Sequence, residues 1–297
     1  MEFVDKAAAL STIVFVVSSM LAVGLNLTVG QVITPLRNAR LVTFALLANF
    51  VLMPLAAMAI ARLLQLDESL SGALLLLGTA SGAPFLPLLA GIAKGDLAFS
   101  VGLTVLLMVL SVGYMPLVLP LLLSGVSVDP GKIASSLLLL MLLPLGIGLA
   151  VKSGLESIAN RIEPLFINVS KFALVLLILL MFVANIQKIL SLYGSHGVLA
   201  SILLLVAGSM MGWFLGGPAV ETRSVMALGT AQRKIAAALV VAKRNFSDPR
   251  VAVMVVVIAI VGLVLLFPFA HWLAKRSEEQ RGAQDQPVSC LVLRAHR

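Results

Sequence analysis

Leu77-Gly78-Thr79-Ala80-Ser81 and Leu228-Gly229-Thr230-Ala231-Gln232 are nearly the same phrase, used once in each half of the chain. Both copies lie inside hydrophobic segments long enough to enter a bilayer. Gly82, Pro84 and Pro87 follow the first copy, and Arg233 and Lys234 follow the second, so neither continuation suits an unbroken helix in lipid. Proline removes a backbone donor and leaves an upstream carbonyl without its partner. A charge at the middle of a membrane is expensive unless it lines a cavity or meets a ligand. The two phrases therefore mark interrupted helices at corresponding places in the two halves, the pattern of a transporter's midplane site.

Composition sets the surroundings of these breaks. Of 297 residues, 60% are hydrophobic and 11% charged, where soluble domains carry about a quarter charged. That excludes a soluble domain and defines an all-α polytopic membrane protein. At roughly 20 apolar residues per crossing, the hydrophobic runs hold about nine transmembrane helices. The net charge of +8 is scattered over helix ends and the C-terminal tail, which fits anionic lipid and topology and not a nucleic-acid surface. The single cysteine, Cys290, excludes an intrachain disulfide or a cysteine metal cluster. No phosphate loop stands among the dispersed glycines, and the three histidines lie near helix ends or in the tail. The chain reads as neither an ATPase nor an intramembrane enzyme, with no cofactor beyond coupling ions.

Taken in order, the spans run approximately over Ala7–Leu27 and Leu41–Leu64, and from Leu70 through the first break to the turn Lys94-Gly95-Asp96. Asp96 is placed to cap the fourth helix, which carries Ser100 and Thr104 on one face and ends near Leu123. The fifth to seventh follow at about Ile133–Val151, Pro164–Leu190 and His196–Leu215. The eighth starts at Glu221, passes the second break and resumes to Ala242, and the ninth covers Val251–Leu273. With breaks in the third and eighth, the count fits inverted five-helix repeats whose first copy has lost its opening helix. The expected organisation is a transmembrane domain over 1–274, with repeats 1–123 and 131–274, and a polar cytoplasmic tail over 275–297. The N-terminus then lies outside a bacterial inner (plasma) membrane. Arg37, Arg40, Lys94, Lys152, Arg161 and Arg223 agree with that orientation, whereas Lys243, Arg244 and Arg250 run against it. Asn49, among apolar neighbours, serves either a helix–helix hydrogen bond or a ligand. Ser100 and Thr104 either satisfy carbonyls of their own helix or line the site.

Ala93-Lys94-Gly95-Asp96-Leu97-Ala98-Phe99-Ser100-Val101 followed by Thr104, and Gly229-Thr230-Ala231-Gln232 with Ala236 to Leu239, resemble the bile acid:sodium symporter family over approximately residues 7 to 274. The resemblance implies panel and core subdomains with two crossing discontinuous helices. It also implies a secondary active transporter of a small or amphipathic organic anion, working by alternating access as a monomer in contact with membrane lipid. The residues at the crossover would be Thr79, Ser81, Pro84, Pro87, Thr230, Gln232 and Arg233. Two sodium ions sit behind the crossover in sodium-driven members, and the matching positions here are Asn49, Ser100, Thr104, Gly229, Ala231 and Gln232. The departures are specific. Leu86 and Pro87 stand where those members carry a Ser-Asn pair, and Leu228 stands where they carry a glutamate. A second register lets Thr79 and Ser81 supply the oxygens. Without the carboxylate, coupling to sodium, to protons or to no ion all stay open, as does a non-transporting sensor on the same scaffold.

Overall fold

A computed structural model describes residues 2–26, 28, 30, 38–83, 85–122, 131, 135, 138–192 and 196–284. Among them the chain is helical and contains no strand. The helices are α1 (Glu2–Asn26), α2 (Ala39–Leu63), α3 (Glu68–Thr79), α4 (Leu86–Ile92), α5 (Leu97–Leu122), α6 (Leu138–Gly154), α7 (Glu156–Leu192), α8 (Gly197–Leu215), α9 (Val220–Ala231), α10 (Ile235–Asn245) and α11 (Pro249–Gln284). Four of them, α2, α5, α8 and α11 as far as Glu279, are long and apolar enough to cross a membrane. At 1.5 Å per residue, the 12 residues of α3 or of α9 span only about 18 Å, too short for a bilayer alone.

The local sequence explains where these helices start and bend. Asp67 accepts the amide of Leu70 at 2.8 Å and opens α3, and Asp96 accepts the amide of Phe99 at 2.9 Å and opens α5. Pro54 has no amide to donate to the carbonyl of Phe50. The helix widens into a π turn over Ala48–Leu52, and the Tyr114 hydroxyl donates to that carbonyl instead. A second π turn, Leu138–Leu142, likewise precedes Pro144.

Packing separates the helices into two groups. In one, α1 lies along α7 and α6. Gly24 and Gly148 let α1 and α6 touch backbone to backbone, since a Cβ on Gly24 would fall 2.4 Å from the carbonyl oxygen of Leu145. The other group contains the remaining helices, with matched pairings in the two halves: α2 on α3 as α8 on α9, α4 on α5 as α10 on α11, and α3 on α11 as α9 on α5. Polar contacts hold both ends of α11. Near its start, Arg250 donates to Asp67 and Asp248, each at 2.9 Å, and Ser69 donates to Asp248. Towards its other end Glu278 pairs with Lys94.

The last helix differs from the sequence expectation. It continues past Leu273 to Gln284, through the start of the expected 275–297 tail, and Ser277 is buried within it. Glu278, Glu279, Gln280 and Arg281 are good helix formers, and the pairing of Glu278 favours continuation. Residues 285–297, including Cys290, lie outside the described residues, as do Arg37 and Pro84.

Candidate functional site at the helix crossing

The helices α3 and α9 both end in the interior, at Thr79 and Ala231, and there the two halves of the chain meet. The Lys234 amide donates to the carbonyl of Ala80 at 2.9 Å, joining one break directly to the other. Gly82 makes the first break possible. Its φ is +81°, and a Cβ there would lie 2.4 Å from the backbone nitrogen of Met108 in α5. Pro87 sits in the first turn of α4, where a helix has no use for its missing donor.

A helix end leaves its last carbonyls without partners, and in a membrane interior those carbonyls must find donors. Arg233 supplies them for both helices. Its Nε donates to the carbonyl of Leu77 at 2.8 Å and its Nη2 to that of Gly78 at 2.6 Å. Its Nη1 donates to the carbonyl of Thr230 at 2.9 Å and to Asn49 Oδ1 at 3.1 Å. The guanidinium thus caps two C-termini at once, where the helix dipoles favour a cation. Asn49 lies in the π turn of α2 and also donates to the Thr230 hydroxyl at 3.4 Å, so it makes the helix–helix bond open to it from sequence and in addition holds Arg233.

The other expected site residues are near the crossing without joining this cluster. Thr79 donates back to Leu76 at 2.9 Å inside α3. Ser81 is fully buried, and neither its hydroxyl nor Gln232 Oε1 has a hydrogen-bond partner among the described residues. Ser100 donates to Leu97 and Thr104 to Ser100, each at 2.7 Å, so both satisfy carbonyls of their own helix. Gly229 lies against Leu86 and Leu103, and Ala231 against Gly208. Leu86 and Leu228 are both buried, so apolar side chains fill the positions where the family resemblance leads one to expect polar ligands.

The electrostatics are one-sided. Arg233 and Lys234 are buried, and among the described residues no aspartate or glutamate is. Lys234 Nζ has no hydrogen-bond partner among those residues either. Nor do three or more His, Cys, Asp or Glu side chains come together there.

Two cavities flank the crossing. A small one of about 70 Å³, mostly apolar, is lined by Gln232, Arg233, Phe15 and Phe85. A larger cleft of about 380 Å³ lies between α1 and α7 on one side and α4 and α5 on the other. Its polar lining is Ser19, Asn26, Thr104, Glu163, Ser170 and Lys171, with Pro87 and Phe85 at the α4 wall. Asn26 donates to Glu163 within it. Phe85 lines both spaces. Of the cleft's lining, sequence reasoning singled out only Thr104 and Pro87. Ser18 and Ser19 in an apolar helix and the acidic Glu163 were the signals available.

These features are those of a helical membrane protein built around two interrupted helices. The chain belongs to the Sodium Bile acid symporter family, whose model matches residues 13–192. It is 27% identical over 250 residues to a probable chloroplast sodium/metabolite cotransporter of Arabidopsis thaliana, covering 82% of this chain and 61% of that one. A second probable chloroplast sodium/metabolite cotransporter, from Oryza sativa subsp. japonica, is 27% identical over 197 residues, 66% of this chain and 47% of its own. The hepatic sodium/bile acid cotransporter of Rattus norvegicus is 28% identical over 155 residues, 50% and 43% of the two chains. The chain spans about half the length of the curated relatives it matches. The family and these relatives are transporters, not enzymes.

Proposed function

We propose that the protein is a secondary active transporter that carries a small or amphipathic organic anion by alternating access. The observation that carries this reading is the cleft between the α1/α6/α7 group and the helices of the crossing, with Lys171 in its wall. A cleft mostly apolar with a few convergent polar groups suits an amphipathic solute, and Lys171 offers its negative end a charge. Rocking of one helix group against the other would open the cleft to either side in turn. The matched helix pairings of the two halves support the reading of inverted five-helix repeats, nine crossings in all. On that topology the N-terminus lies outside and the C-terminus in the cytoplasm of a bacterial inner membrane. The protein works as a monomer, lipid covering its apolar flanks.

Uptake into proteoliposomes tests the transport reading, with a labelled bile acid, a short keto acid and a short hydroxy acid as probes. The expected result is saturable uptake of at least one, reduced several-fold by Lys171→Gln for the anion and unchanged by it for a neutral analogue. Specific binding of an anion with no uptake at all would favour a sensor on the same scaffold.

A further inference from the structure

We propose that Arg233 is a tethered cation, standing where a free coupling ion would otherwise complete the helix crossing, so that this chain does not use sodium at that place. The proposal rests on the transporter reading and names what its core is built to hold.

Four oxygens converge at the crossing: the carbonyls of Leu77, Gly78 and Thr230, and Asn49 Oδ1. They come from three separate helices, α3, α9 and α2. Oxygens gathered in this way, several of them at the negative ends of helices, make a cage for a hard cation. Here every one of the four accepts a hydrogen bond from the same guanidinium, at 2.6 to 3.1 Å. A guanidinium has five N–H donors in a fixed plane, which is enough to serve a cage of this kind.

Charge argues the same way. A metal ion entering the crossing would meet the buried guanidinium of Arg233, with the unpartnered Lys234 side chain beside it, and no buried carboxylate among the described residues. In a poorly solvated interior its desolvation would go uncompensated, and repulsion would add to it. Sodium does not fit the residues present. A guanidinium on the chain needs no uptake from solution and leaves the cage filled in every state of the cycle. Ion-driven closure through this cage is therefore absent, and the crossing is held permanently in the form that a bound ion would produce in a sodium-coupled relative.

Sodium alone, without any organic substrate, is the probe. The thermal midpoint of the detergent-purified full chain is measured in sodium chloride and in N-methyl-D-glucamine chloride at equal ionic strength. The wild-type midpoint should be the same in both. Arg233→Ala should fall by roughly 10 °C and be restored in a saturable way by millimolar ethylguanidinium, which fits the vacated space, and not by N-methyl-D-glucamine. A saturable sodium-dependent rise in the wild type would overturn the proposal, as would an Arg233→Ala variant that ethylguanidinium fails to restore. If Arg233→Ala does not fold, the wild-type sodium titration decides alone. The transport reading fails separately, through absence of uptake for every anion, because the midpoints are read with no substrate present.

Discussion

Arg233 Nη2 lies 2.6 Å from the carbonyl oxygen of Gly78, a residue 155 positions earlier in the chain. This contact and its three companions make one side chain of the second half responsible for completing a helix of the first. Asn49 is the only side chain among the four acceptors, which makes it the place where the network can be altered without touching the backbone.

Asn49→Leu should lower stability by about 1–3 kcal/mol, because it strips an acceptor from a buried guanidinium and leaves the Thr230 hydroxyl without its donor. Asn49→Asp keeps the acceptor and supplies the missing countercharge, so its thermal midpoint should equal or exceed that of the wild type. Scanning fluorimetry of the two variants is the check. An Asp variant less stable than the Leu variant would contradict the electrostatic account of the crossing.

Lys234 buries an ammonium group that has no hydrogen-bond partner among the described residues. Methionine has nearly the same length and no charge to desolvate. Lys234→Met should therefore raise stability by about 1–4 kcal/mol, measured as a higher thermal midpoint. A drop would mean that Nζ is held by a group that the substitution also disturbs.

Two glycines of the first half should respond in opposite directions to alanine. At Gly82 a Cβ meets the backbone of α5 and the positive φ strains any L side chain, so Gly82→Ala should lose about 1–3 kcal/mol. Gly113, inside α5, has open space where its Cβ would go, and Gly113→Ala should gain up to about 1 kcal/mol through helix propensity. Midpoints of the two variants compared side by side test the packing at the break.

Asp248 gives the protein a pH response outside the membrane spans. Partial burial alone would raise its pKa, but hydrogen bonds from Ser69 and Arg250 and the charge of Arg250 outweigh it and hold the carboxyl below its usual value. A depressed folded-state pKa contributes stability that is full above the unfolded value of about 4 and is lost as pH falls through the folded value. Wild type and Asp248→Asn should therefore differ in midpoint at neutral pH and converge on acidification below about pH 4. A gap that stayed constant into acid would show that the aspartate acts through packing and not through its charge. Because the group is only partly buried and solvent screens it, the difference should be small.

The two breaks were legible because Gly, Pro, Arg and Lys do not belong in the middle of a lipid-facing helix, and local chemistry alone exposes them. The cap by Asp96 was legible for the same reason, since it involves neighbours in the chain, and the return of the Ser100 and Thr104 hydroxyls to their own helix was one of the two readings the sequence allowed. The partners of Arg233 were not. Its acceptors are mostly backbone oxygens, which carry no residue signature, and they come from segments that only the fold brings near. The cleft escaped for a related reason: Ser19, Glu163 and Ser170 lie on α1 and α7 far from either phrase, and only the packing of those helices opposite α4 and α5 turns them into a wall. The continuation of α11 past Leu273 was hidden because polar composition reads as tail, although Glu278 and its neighbours favour helix once Lys94 is within reach.

The reach of Arg233 also sets an order for biosynthesis. When α3 leaves the ribosome, the residue that will cap it is still more than a hundred residues from being made; the carbonyl of Leu77 has the Ala80 amide in its own segment, whereas that of Gly78 is served by Arg233. A hydrocarbon interior offers the Gly78 carbonyl no donor of its own. The first interrupted helix is therefore capped in full only after the second half has been made. Completion of the crossing thus depends on the α9–α10 segment, which is made late in synthesis.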